Sequence, residues 1–88
     1  MRTKIIQGET LSIKLTFLID TVESAFDKAE VEIIDSKKQT RYISQASSDS
    51  VFFLPKETAS LKGYFVLRVT VYKGGLVTKK DIPLEVIE

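Results

Sequence analysis

YFVLRVTVYK (residues 64–73), Gly74-Gly75 and LVTKKDIPLEVI (residues 76–87) form the most regular stretch of this chain. Both runs alternate apolar and polar side chains with the period of two that marks a half-buried strand. The Gly-Gly pair between them suits a two-residue turn, which needs positive φ that glycine adopts without steric cost. Such a turn sets Lys73 opposite Leu76, hence Leu67 opposite Ile82 and Phe65 opposite Leu84. The apolar side chains of both strands then share one face, and a slip of one residue would separate them. An antiparallel hairpin with one buried side is expected. Leu67→Ala should cost about 2–5 kcal/mol, and Lys73→Ala less than about 0.5 kcal/mol.

The same period recurs upstream. Leu11, Ile13, Leu15, Phe17 and Ile19 alternate with Ser12, Lys14, Thr16 and Leu18, and Ala29, Val31 and Ile33 alternate with Glu30 and Glu32. Lys4-Ile5-Ile6-Gln7 makes a short opening strand, broken by Gly8. Residues 20–28 are a polar connection pinned by Ala25 and Phe26. Asp35-Ser36-Lys37-Lys38 has turn chemistry, followed by a short strand over residues 40–44 and a serine-rich loop over 45–50. Residues 51–54 are apolar throughout, which implies a strand buried on both faces or twisted at a corner. Pro55 ends that strand, and Leu61 anchors the crossing to the final hairpin. Pro83 lies on the outward parity and places the last strand at a sheet edge, at least at that position. About seven short strands with no sustained helical period give one all-β domain over residues 1–88, a sandwich or small barrel.

Composition narrows the function. A domain of 88 residues without Cys or His has neither disulfides nor the usual zinc and haem ligands, and no cofactor is expected. Its 13 basic and 12 acidic side chains nearly cancel. Neither nucleic acid nor an anionic membrane is therefore an expected partner. The longest apolar run is four residues, too short for a spanning helix. Residues 1–4 lead into an alternating strand and not into an apolar signal segment. The chain is expected either to work where it is made or to be an excised piece of something larger.

Candidate chemistry is sparse. Ser44, Ser47, Ser48 and Ser50 lie in one hydrophilic loop with neither His nor Cys to activate them, so solvation is the expected role and catalysis is not. Asp20, Glu23 and Asp27 bracket a loop and carry oxygens suited to calcium, but their spacing is not that of an EF-hand. Lys37, Lys38 and Arg41, joined by Lys79 and Lys80, form a basic set of the kind that protects sheet edges. Tyr42, Tyr64 and Tyr72 make no single stacking platform with them. Gly74-Gly75 precedes no helix and is a turn, not a phosphate loop. Leu18, Ile34, Val66, Tyr72 and Ile87 are apolar residues on outward parities. Tyr64, Val66 and Tyr72 share the outer face of the last hairpin and are the candidate protein interface.

With the strands placed, the chain resembles an immunoglobulin-like antiparallel β-sandwich over nearly its whole length. Leu61-Lys62-Gly63-Tyr64-Phe65-Val66-Leu67 looks like the crossing into strand F of such domains, with Gly63, Phe65 and Leu67 on one parity. Phe65 lacks the hydroxyl of a tyrosine corner, and the absence of Trp and of a Cys pair separates the chain from antibody-type domains. The opening Gln7-Gly8-Glu9-Thr10-Leu11-Ser12-Ile13, with Gly63-Tyr64-Phe65-Val66-Leu67 and residues 82–87, is similar to macroglobulin-like modules of bacterial surface proteins. It is also similar to small immunoglobulin-like proteins of bacteriophage virions. These resemblances imply a non-enzymatic structural or protein-interaction module. The favoured expectation is a virion component made in the bacterial cytoplasm, in capsid decoration, tail or baseplate. Its partners would be other copies of itself or capsid, tail or baseplate proteins. A spacer or adhesion module at the bacterial cell surface is the alternative, and a small-barrel binder of nucleic acid or carbohydrate ranks last.

Overall fold

The computed structural model describes residues 3–20, 22–46 and 50–88 (for Ile19 and Glu23, the backbone). The chain forms β1 (Thr3–Ile6), β2 (Leu11–Lys14), β3 (Leu18–Ile19), β4 (Val22–Glu23) and β5 (Lys28–Ile34). It continues through β6 (Thr40–Ala46), β7 (Ser50–Phe53), a helical turn α1 (Pro55–Thr58), β8 (Gly63–Lys73) and β9 (Leu76–Ile87). The final hairpin has the expected register, with Lys73 facing Leu76, Leu67 facing Ile82 and Phe65 facing Leu84. Gly74 has φ 56°, while Gly75 stays out of the positive region, as in a type II′ turn.

Five strands form the larger sheet in the order β1-β9-β8-β5-β6, and β2 pairs with β7 in a second sheet. These seven strands in two sheets make an all-β sandwich. A small ribbon, β3 with β4, lies in the connection before β5. Between the sheets sit Val31, Ile33, Phe53, Leu61, Leu67 and Leu84, each no more than 1% exposed. Most pairings are antiparallel, but β1 runs parallel to β9, from Thr3 beside Leu84 to Ile6 beside Ile87.

That parallel pairing sets the limit of the edge expected at Pro83. β9 lies inside the sheet from Leu84 onward, and only residues 76–83 have an open outer side among the described residues. Pro83 sits at the changeover, where its missing N–H removes nothing from the ladder to β8. The reading of residues 51–54 as buried on both faces is overturned. Val51 and Phe53 are buried, whereas Phe52 is 54% and Leu54 51% exposed, because the second sheet has only one neighbouring layer.

Residues 10–19 do not form one continuous strand. The ladder stops at Lys14, yet the alternation keeps Leu15 buried and Phe17 packed on the core. The return strand is longer than its expected end at Ser44 and reaches Ala46. The Asp35 turn closes as its residue type demands, with Oδ1 accepting from the N–H groups of Lys37 and Gln39 at 2.9 Å each. Pro55 opens α1, and the Glu57 carboxylate accepts from the Leu54 N–H at 2.9 Å. Two long-range side-chain bonds then hold α1 and the crossing against the turn after β1. The buried Thr58 hydroxyl donates to the Glu9 carbonyl at 2.5 Å, and the Gln7 amide donates to the Leu61 carbonyl at 2.6 Å.

Candidate protein-docking surface

Strand parity puts Tyr64, Val66, Arg68, Thr70 and Tyr72 on the outer face of the larger sheet. Their partners on β9 are Glu85, Pro83, Asp81, Lys79 and Val77, and on β5 Val66 meets Ile34 and Tyr72 meets Lys28. All three interface candidates therefore share one face, but they do not share one patch. Tyr64 (61% exposed) and Val66 are adjacent at one end, beside Ile34, which is only 9% exposed at a register shift in the β5–β6 pairing. Tyr72 is eight positions further along, or roughly 26 Å at strand rise.

A charged band separates the two spots. Arg68 makes a forked contact with Asp81, Nε to Oδ1 at 2.9 Å and Nη2 to Oδ2 at 3.2 Å. These hydrogen bonds raise the Arg68 pKa and hold the Asp81 carboxyl below its ordinary range. Tyr72 is engaged locally as well. The Lys28 ammonium lies 4.8 Å from its ring centroid, and interaction with the Glu30 carboxylate raises the pKa of its phenol. Tyr42 belongs to the inner face, where its hydroxyl meets Ser60 Oγ at 2.7 Å. The three tyrosines thus occupy three separate places.

The remaining candidates also disperse. Asp27 serves the hairpin turn, accepting from the Gly74 N–H at 2.7 Å. Among the described residues, no three His, Cys, Asp or Glu side chains are grouped to hold a metal. Ser44 donates to the Phe52 carbonyl at 3.2 Å. Ser47, Ser48 and the Glu23 side chain lie outside what is described. The basic set splits across the sheet, since β8 and β5 intervene between Arg41 on β6 and Lys79 and Lys80 on β9. Lys37 and Arg41 instead share an open cleft of about 520 Å³ with Asp35, Lys62 and Tyr64.

Sequence reasoning missed a feature between the layers. The flank of β2 and the residues after it, on one side, and the inner face of β8 and β9, on the other, enclose a groove of about 320 Å³. Ile13, Leu15 and Phe17 supply one wall, with Val69, Val71 and Ile82 opposite. Lys14 and Lys80 also line it, while no acidic side chain does. The open edge of β9, residues 76–83, runs alongside. A signal for this groove exists in the sequence. Along the inward parity of β9, Val86, Leu84 and Ile82 give way to Lys80 and Thr78, as expected where the covering layer ends.

The chain matches no protein-family model, no curated protein and no solved structure. Its fold is accordingly defined by strand order and register alone.

Proposed function

We propose that this chain is a structural, protein-docking β-sandwich without catalytic chemistry, serving as a bacteriophage virion component in capsid decoration, tail or baseplate. The observation that carries the docking role is the unfinished side of the sandwich, where an apolar groove adjoins an open strand edge. Solvent-exposed Tyr64, Phe52 and Leu54 add apolar contact material at other places on the surface. The virion setting is supported by the resemblance of residues 7–13 and 61–67 to small immunoglobulin-like virion proteins.

The test is size-exclusion chromatography with light scattering, on the chain alone and mixed with purified products of neighbouring genes. A stoichiometric complex with a capsid, tail or baseplate protein is the expected result. Neighbours that encode export and surface functions, with a complex formed among those products, would move the chain to the cell-surface alternative. Salt-sensitive binding of a fluorescent oligonucleotide, with no protein complex, would overturn the docking reading itself.

A further inference from the structure

We infer that the unfinished side is a strand-acceptor site for an extended partner segment carrying a carboxylate flanked at alternate positions by apolar side chains. This rests on the docking role proposed above and names where and what the chain docks. The backbone supplies the first argument. In a two-residue hairpin the residues flanking the turn bond to each other, so even-numbered residues of β9 point their N–H and C=O groups at β8. Odd-numbered residues point the other way, as the Gln7 N–H donating to the Ile87 carbonyl at 2.7 Å confirms. Val77, Lys79 and Asp81 therefore present donors and acceptors outward, and Pro83 presents an acceptor only. Beyond Pro83, β1 occupies the edge. Among the described residues this stretch has no neighbour, and it accommodates a strand of about seven residues, added as sheets commonly accept peptides.

Side-chain chemistry selects the occupant. Every second residue of an added strand would face the groove, opposite Thr78, Lys80 and Ile82. Leu15, Phe17, Val71 and Ile82 offer it apolar walls, and Lys14 and Lys80 offer positive charge. Neither lysine has an ion-pair partner among the described residues. A carboxylate opposite Lys80, with apolar neighbours two residues to each side, meets these features together. A second copy of this chain fits worse. Antiparallel self-pairing of residues 77–83 centres on residue 80 and sets Lys80 against Lys80, the like-charge juxtaposition that guards edges from their own kind.

The test uses the labelled peptide Thr-Val-Thr-Glu-Thr-Val-Thr, a palindrome that presupposes no strand direction, and its counterpart with Lys at the centre. Titrated into ¹⁵N-labelled protein, the Glu peptide should shift amides of residues 77–82 and 13–17. The Lys peptide should bind about fivefold more weakly. Lys80→Glu, an exposed substitution, should reverse that ranking while leaving the remaining spectrum in place. Equal affinity of the two peptides for the wild-type chain would overturn the assignment, as would shifts confined to the outer face around Tyr64 and Val66. No shift at millimolar peptide would overturn it too. If the assignment fails in any of these ways while a neighbouring gene product still forms a complex, the docking role survives and only its location is wrong.

Discussion

The two long sides of this sandwich are finished differently. On the β6–β7 side, Ser44 reaches across to the Phe52 carbonyl and ties the sheets together. On the β2–β9 side, no hydrogen bond joins residues 11–17 to residues 76–83 among those described. The same core thus serves a laced flank and an open one. The difference shows that a small domain can leave a flank unclosed when polar and cationic side chains take over the inward positions of the bordering strand. Thr78 and Lys80 hold those positions here.

The contrast is broken most directly in the core. Phe53→Ala, at a fully buried position on β7, should cost about 3–5 kcal/mol in urea denaturation. Phe17→Ala, on the open flank and only partly buried, should cost less than about half of that. Equal losses would show that the β2–β9 side is as tightly packed as the other.

Two lysines of the final hairpin sharpen the comparison. The Lys73 ammonium donates to the Ala25 carbonyl at 2.5 Å, with Ser24 Oγ at 3.4 Å. Lys73→Ala is therefore expected to cost about 1 kcal/mol, more than its place beside a turn implied. Lys80→Ala should stay within about 0.5 kcal/mol. Hydrogen exchange resolves the same contrast within one strand. The outward amides of Val77, Lys79 and Asp81 should exchange about tenfold faster, or more, than the inward-bonded amides of Thr78, Lys80 and Ile82. Uniform protection along β9 would mean that its edge is covered.

The smallest effect concerns the outer face, where the Arg68–Asp81 fork lies on the side of the larger sheet away from the groove. Arg68 depresses the Asp81 pKa, so the contribution of the pair is present above the unfolded carboxylate pKa and lost as pH falls through the folded one. Wild type should exceed Arg68→Met by about 1–2 °C in Tm at neutral pH. That gap should close under acid, and a gap that persisted at pH 2 would assign the difference to packing of the arginine stem.

Much of this was legible in the residues because side-chain period and turn chemistry are local. The β8–β9 register followed from Gly74-Gly75, and the Asp35 turn from its own side chain. Partner choice is not local. Nothing in Lys4-Ile5-Ile6-Gln7 names β9 as its neighbour some eighty positions away, so Pro83 could suggest an edge at its own position but not where that edge ends. Residues 51–54 carry no alternation from which to tell that Phe52 and Leu54 face solvent. Parity grouped Tyr64, Val66 and Tyr72 correctly on one face, but parity does not measure distance along a strand. The groove escaped notice because it belongs to two segments sixty residues apart, and only Thr78 and Lys80 hinted at it.

The parallel pairing of β1 with β9 has a mechanical consequence. Tension applied between the beginning of β1 and the end of β9 pulls the two strands along their own axes in opposite directions. The rungs from Thr3 beside Leu84 to Ile6 beside Ile87 are then loaded in shear and share the force, whereas the arms of a hairpin pulled apart at their open end yield one rung at a time. Resistance along that direction is set by the barrier to rupture and not by equilibrium stability. A part built into an assembly that is pulled end to end would profit from that orientation, whatever its modest core contributes.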